Sequence, residues 1–184
     1  MHIEPGPLKG LLVITPVVHA DDRGFFMEVF RKDLMASAGV DLVTPQENHS
    51  RSRRGVVRGL HFQWNPAMGK LMRVTRGEAF VVALDIRKKS PAFGKWFGLE
   101  LGEENKIMLW APPGFATGFC ALAAVTDVQY KCTAVYNPHC ESGIRFNDPA
   151  LAIPWPVAEP ILSDKDRNAQ TLQEWCGREE SEVF

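Results

Sequence analysis

The sequence has little of what usually announces a cofactor, a membrane or a secreted protein. It holds five histidines and four cysteines in 184 residues. Cys120, Cys132, Cys140 and Cys176 form no Cys-x-x-Cys pair and no zinc-ligand spacing, so they read as reduced thiols. There is no Gly-x-Gly-x-x-Gly, no Walker loop and no Gly-x-Ser-x-Gly elbow, which removes dinucleotide, P-loop and serine-nucleophile readings. No apolar run reaches the length of a membrane span. The first ten residues lack a basic region followed by an apolar core, so a signal peptide is not expected, and the expected location is the cytoplasm. Charge is balanced, with 21 Lys and Arg against 22 Asp and Glu, for a net charge of −1. That balance gives no general attraction to nucleic acid or to an anionic membrane surface.

What the chain does have is apolar residues in short β-like runs. Hydrophobic residues make up 45% and charged residues 23%, enough for one domain spanning 1–184 with its own core. Residues 11–14, 55–63, 70–75, 79–86, 96–101, 106–110, 119–124 and 128–136 carry β-branched or aromatic residues, many bounded by turn formers. Arg76-Gly77-Glu78 reads as a hairpin turn, and residues 88–91 and 111–114 read as loops. The alternation in 70–75 predicts one buried face and one face that is wet or lines a cavity. Helical signals are few. Residues 31–38 suggest a short helix closed by Gly39, and 163–175 a longer one with Ser163 as N-cap and acidic residues in its first turn. Many short strands in one domain predict an all-β sandwich or barrel, and a jelly-roll barrel would offer a concave interior where polar residues from several strands converge.

The most informative stretch is Val57-Arg58-Gly59-Leu60-His61-Phe62-Gln63, followed by Gly69-Lys70-Leu71. It places a histidine in an apolar strand between two cations. Tyr130 on a later strand and Asp166 near the C-terminus supply a phenol and a carboxylate. A base, an orienting carboxylate, a phenolic acid and a cation are the groups needed to move a proton beside a carbonyl. Each has a plain structural alternative: His61 as a core residue, Asp166 as a helix-start carboxylate, Phe25 and Phe26 as core, and residues 51–54 as a solvated basic loop. A metal site is not expected. The strand at His61 reads His-x-Gln, and Pro112-Pro113-Gly114-Phe115-Ala116-Thr117 has the proline-glycine turn of a cupin's second motif with threonine where a metal-binding cupin has histidine.

These residues resemble a known family, the dTDP-4-dehydrorhamnose 3,5-epimerases, across roughly residues 10–170. The motifs run in order: Asp22-Arg23-Gly24-Phe25-Phe26, Gln46-Glu47-Asn48-His49-Ser50, the Arg58-Gly59-Leu60-His61 segment, Gly69-Lys70-Leu71, Pro113-Gly114-Phe115-Ala116, Tyr130-Lys131, Phe146-Asn147-Asp148-Pro149 and Leu162-Ser163-Asp164-Lys165-Asp166. The resemblance implies a cupin-like jelly-roll barrel with a few short peripheral helices, and a homodimer in which an N-terminal strand is exchanged. It implies an epimerase that uses no cofactor and acts on a nucleotide-diphosphate 4-keto-6-deoxy sugar. His61 falls on the catalytic base, Asp166 on its carboxylate partner, Tyr130 on the general acid and Lys70 on the cation that holds the enolate. Arg23, Phe25, Glu28, Gln46, Asn48, Arg58, Thr117, Tyr136, Glu141 and Lys165 fall on substrate-contacting positions. Thr117 departs from the pattern, because the family often has histidine there. The residue 64–68 loop also differs from common versions. The alternatives are an epimerase acting at one carbon and a non-catalytic sugar nucleotide binding protein.

Overall fold

A computed structural model describes residues 1–184. Its elements in chain order are β1 (His2–Pro5), β2 (Leu12–Thr15), β3 (Val18–Asp21), β4 (Gly24–Met27), α1 (Lys32–Ser37), β5 (Gln46–Arg53), β6 (Val57–Gln63), β7 (Lys70–Arg76), β8 (Glu78–Asp85), β9 (Trp96–Gly102), β10 (Met108–Ala111), β11 (Phe115–Ala121), β12 (Val125–Cys132), β13 (Glu141–Gly143), α2 (Asp164–Arg167), α3 (Leu172–Cys176) and a closing 3-10 turn (Glu179–Val183). A six-stranded sheet, in the order β1-β2-β10-β7-β12-β5, faces a five-stranded sheet in the order β13-β6-β11-β8-β9. The strand pairs within both sheets are antiparallel. This is the expected all-β, cupin-like jelly roll.

Side-chain alternation explains why two sheets form. Met72 and Val74 of β7, Leu109 of β10 and Val128 of β12 meet Val81 and Ala83 of β8 and Phe115 and Phe119 of β11 in one core between the sheets. The intervening residues of the five-stranded sheet, among them Leu60, Phe62, Val82 and Leu84, are buried on its other face under Leu151, Leu172 and Trp175. β8 is therefore covered on both sides, which accounts for its nearly unbroken apolar run. The outer face of the six-stranded sheet is covered in part by Met35 of α1 and by Leu42, over Leu12, Ile14, Leu71, Met108 and Trp110. β3 and β4 pair only with each other, as a separate two-stranded ribbon.

The short strands β1, β3, β4 and β13 had no counterpart in the sequence reading, and the strand read over 128–136 runs Val125–Cys132; three further differences have a clear physical reason. The helix expected over 163–175 is two helices. Gln170 bridges to Ile144 in the gap, and Thr171 starts α3 with a reciprocal capping box to Glu174, so the second helix has its own start signal. β11 begins at Phe115 rather than 119, because Phe115 already pairs with Asp85 of β8. Residues 51–53, read as loop, close β5, where Arg51 is held by both carboxylate oxygens of Asp127 at 2.8 Å.

One irregularity positions the site. In the pairing of β6 with β11, His61 opposes Thr117 and Arg58 opposes Phe119, so two residues of β6, Gly59 and Leu60, stand against the single Gly118 of β11. That bulge turns Arg58 and His61 to the same side, where a regular strand would set them on opposite faces. The backbones approach closely there. A Cβ on Gly59, whose φ is +113°, would lie 2.7 Å from both Gly118 Cα and the Thr117 carbonyl oxygen. Gly59→Ala is expected to cost about 1–3 kcal/mol, read as a lower urea midpoint with an unchanged slope, and to reduce activity by displacing His61. Unchanged stability and activity would show that the bulge tolerates a side chain.

Candidate active site

Between the two sheets the polar residues converge on a cavity of about 200 Å3. The six-stranded sheet contributes Ser50 from β5, Lys70 and Met72 from β7, and Val128 and Tyr130 from β12. The five-stranded sheet contributes Arg58 and His61 from β6 and Thr117, Gly118 and Phe119 from β11, while Ser163 and Asp166 come from the start of α2. A smaller adjoining space of about 90 Å3 shares His61, Lys70 and Tyr130 and adds Gln46, Asn48, Gln63, Tyr136 and Glu141. The two spaces are one site seen from either side of its polar centre. His61 and Tyr130 reach it from different sheets, as a two-faced proton transfer requires.

Asp166 is 4% exposed, and its Oδ1 lies 2.5 Å from His61 Nε2. Ser163 Oγ donates to Asp166 Oδ2 at 2.9 Å and accepts from the Asp166 backbone N–H at 3.1 Å. Burial pushes the Asp166 carboxyl up, but the hydrogen bond and charge of His61, then Ser163 and the Gly59 amide, outweigh it and hold the group below its ordinary value. An ionised carboxylate only accepts, so in the neutral imidazole the proton sits on Nε2 and the lone pair on Nδ1. Desolvation raises Tyr130, which keeps its phenol protonated at neutral pH. Desolvation pulls Lys70 down to about 8. Its Nζ donates to the His61 carbonyl oxygen and to Thr117 Oγ1, both at 3.1 Å, and lies 5.9 Å from the centre of the Tyr130 ring.

At the rim, Arg58 Nε donates to Ser52 Oγ and Nη2 to the Arg51 carbonyl oxygen. No carboxylate neutralises it, so its charge remains available to an anionic ligand. Gln46 Nε2 donates to Asn48 Oδ1, and Gln46 Oε1 accepts from the Tyr136 amide. Lys165 pairs with Glu141. Of the fourteen positions singled out in the sequence, ten line the two spaces and Lys165 touches them through Glu141. Arg23, Phe25 and Glu28 do not. Arg23 is tied to Asp21 in the β3–β4 ribbon, and Glu28 lies 3.7 Å from Arg31. Phe25 and Phe26 are 59% and 67% exposed, so the structural alternative of core packing does not hold for them.

Ser163 was visible in the sequence only as a helix cap; its spacing of three from Asp166 is also what lets one hydroxyl serve both the amide and the carboxylate. Ser50 was marked only as the end of the Gln46–Ser50 motif, and Met72 and Phe119 carried no signal beyond their strand runs.

A jelly roll whose interior holds a carboxylate-held histidine facing a protonated tyrosine and a lysine belongs to the cupin-type proton-transfer proteins. A model of the dTDP-4-dehydrorhamnose 3,5-epimerase family matches residues 5–174. A dTDP-4-dehydrorhamnose 3,5-epimerase from Methanothermobacter thermautotrophicus is 46% identical, over 91% of this chain and 92% of that one. The crystal structure of a dTDP-6-deoxy-D-glucose-3,5-epimerase from Legionella pneumophila, in complex with dTDP-4-keto-L-rhamnose, superposes with a TM-score of 0.90 at 45% identity, covering 94% of this chain and 93% of that one. A 3'-monoepimerase from Streptomyces bikiniensis, in complex with dTDP-quinovose, superposes at 0.89 with 33% identity, covering 96% and 90%. The chain belongs to the dTDP-4-dehydrorhamnose 3,5-epimerase family.

Ser163→Ala is expected to cost about 1 kcal/mol through the lost cap and also to lower kcat, because Asp166 loses the donor that fixes Oδ2. Thermal melting and steady-state kinetics read the two effects separately. A stability loss with unchanged kcat would confine Ser163 to capping.

Proposed function

We propose that this protein inverts C3 and C5 of dTDP-4-dehydro-6-deoxy-D-glucose to give dTDP-4-dehydro-L-rhamnose. The observation that carries this reading is the His61–Asp166 pair facing Tyr130 and Lys70 across one cavity. The C4 ketone acidifies the hydrogens on its two neighbouring carbons. His61 Nδ1 removes such a proton, and Asp166 stabilises the imidazolium that results. The electrons move onto the ketone oxygen, where the Lys70 ammonium holds the enolate. Tyr130 gives a proton from the opposite face, at least at C5, and the stereocentre inverts; the proton on His61 passes to solvent and the Tyr130 phenolate regains one from it, which resets both groups. The sequence is redox-neutral and needs no cofactor. Arg58 grips the diphosphate at the rim, and Gln46, Asn48, Thr117, Tyr136, Glu141 and Lys165 frame the remainder of the substrate.

The reading extends to the whole chain, 1–184, as one epimerase domain acting in the cytoplasm as a homodimer. No helix is long and apolar enough to cross a membrane. The ribbon β3–β4 carries Arg23 and two exposed phenylalanines but pairs with no strand of either sheet. In the dimer it reaches the partner's cavity, so that Arg23 and Phe25 meet the nucleotide there and Glu28 lies beside them. A second reading, inversion at one carbon, is favoured by Thr117 in place of the family's frequent histidine.

Incubation with dTDP-4-dehydro-6-deoxy-D-glucose in deuterated water, followed by proton NMR and mass spectrometry, tests both. Deuterium and inversion at C3 and C5 are expected; inversion at one carbon selects the second reading, and no exchange points to a binding protein or another nucleotide sugar. His61→Ala is expected to lower kcat about 10²- to 10⁴-fold. Tyr130→Phe should keep solvent exchange, because His61 still removes and returns a proton on one face, while losing inversion at C5. Normal epimerisation by either variant would sink the mechanism.

The pH profile follows from Lys70. The ammonium is charged below about 8 and neutral above it, so kcat/KM falls as pH rises through about 8. Lys70→Arg, charged throughout this range, should move the alkaline limb upward. A limb that stays in place would assign it to another group.

A further inference from the structure

The ammonium of Lys70 has three N–H donors and no acceptor. One donor goes to the His61 carbonyl oxygen and a second to Thr117 Oγ1, each at 3.1 Å. Thr117 is 5% exposed and stands opposite His61 in the β6–β11 pairing, so both acceptors sit on one rung of the five-stranded sheet. Lys70 reaches them from β7 of the facing sheet. The stem of Lys70 turns freely about four bonds, and two fixed acceptors remove that freedom, leaving one N–H for a third partner. Thr117 Oγ1 accepts from Lys70, so its own O–H remains available to donate beside that N–H.

The ionisable groups around Lys70 come from four elements: Arg58 and His61 on β6, Tyr130 and Cys132 on β12, Glu141 on β13, and Lys165 and Asp166 on α2. Neither carboxylate bonds to the ammonium. Asp166 is engaged by His61 and Ser163, and Glu141 by Lys165. Thr117 is the one side chain that hydrogen-bonds to Lys70.

We propose that Thr117 is a positioning residue for the epimerisation: its hydroxyl fixes the Lys70 ammonium so that the remaining N–H meets the enolate oxygen. The inference rests on the epimerase reading above and adds a role for a cavity position at which this chain leaves the family's frequent pattern. It also explains how threonine suffices there. A hydroxyl is short enough to sit on the strand and accept from the lysine, whereas a valine of the same shape offers no acceptor.

The experiment compares wild type, Thr117→Val and Thr117→Ser on dTDP-4-dehydro-6-deoxy-D-glucose. Thr117→Val is expected to lose about 10- to 100-fold in kcat, the scale of one hydrogen bond to a charged group, with KM within about twofold. Its alkaline limb in kcat/KM should move to lower pH, because the ammonium has lost an acceptor that favours its charged form. Thr117→Ser should recover both. Thermal melting and binding of dTDP, followed by calorimetry, confirm that each variant is folded with its nucleotide subsite intact. A Val variant with wild-type kcat overturns the proposal. So does a kcat loss without a shifted limb, or a Ser variant no better than Val, since either outcome is a packing effect. A wild-type enzyme that neither exchanges nor inverts the substrate overturns the epimerase reading itself, and is distinguished by failing before any variant is made.

Discussion

A carboxylate buried to the extent of Asp166 must be surrounded by donors or it will neutralise itself, and the way this chain meets that demand organises its site. Its donors come from three places: the imidazole of His61 on β6, the hydroxyl of Ser163 just before α2, and the amide of Gly59 in the β6 bulge. None of these is local to Asp166 except Ser163. The carboxylate therefore ties the C-terminal segment to the barrel wall, and it does so through the residue that removes the proton. A change that loosens α2 from the barrel frees the imidazole as well, so stability and chemistry share one set of contacts.

The two-sheet architecture gives the remaining division of labour. Inversion requires groups on both faces of a carbon, and a sandwich with a polar gap supplies them from opposite walls. His61 and Thr117 hang from the five-stranded sheet, Lys70 and Tyr130 from the six-stranded one. The apolar core between the sheets, with Met72, Val128 and Phe119 at its border with the cavity, sets the spacing of those walls. Rigid strands hold a proton donor and acceptor to a fraction of an ångström more reliably than loops do.

Much of this was legible from residues alone. Strands covered on both faces, such as β8, announce themselves by continuous apolar runs, and β7 by its alternation. β5 did not, because the residues that alternate along it, Gln46, Asn48 and Ser50, are polar on the face that lines the cavity and polar again outside. A strand with no apolar face has no hydrophobic period to read. The break in 163–175 is masked for a different reason: the helix pattern is satisfied on both sides of it, so the one local sign is the Thr171-to-Glu174 capping box, and the pairing of Gln170 with Ile144 marks the gap. The chemistry of His61, Lys70, Tyr130 and Asp166 was suggested by residue type, but their convergence came from the family motifs. Arg58 facing the same way as His61 contradicts strand periodicity, and a one-residue bulge is invisible to any periodic rule.

Electrostatics sets the last constraint. The protein as a whole is nearly neutral, yet the cavity concentrates Lys70 and an unneutralised Arg58 against one buried carboxylate already committed to His61. Withdrawal from water strengthens the hold of the ammonium on a developing enolate, and the same withdrawal weakens its hold on its own proton, which is why Lys70 falls to about 8. Pushed further, the lysine would be neutral at working pH and useless as an electrostatic partner. The charges of Cys132 and Glu141 oppose the desolvation in part, while the His61 carbonyl and the Thr117 hydroxyl hold the ammonium in place without adding a charge. A carboxylate in their place would keep the lysine charged but would repel the enolate it must hold. Neutral oxygen acceptors therefore position the lysine without repelling the enolate.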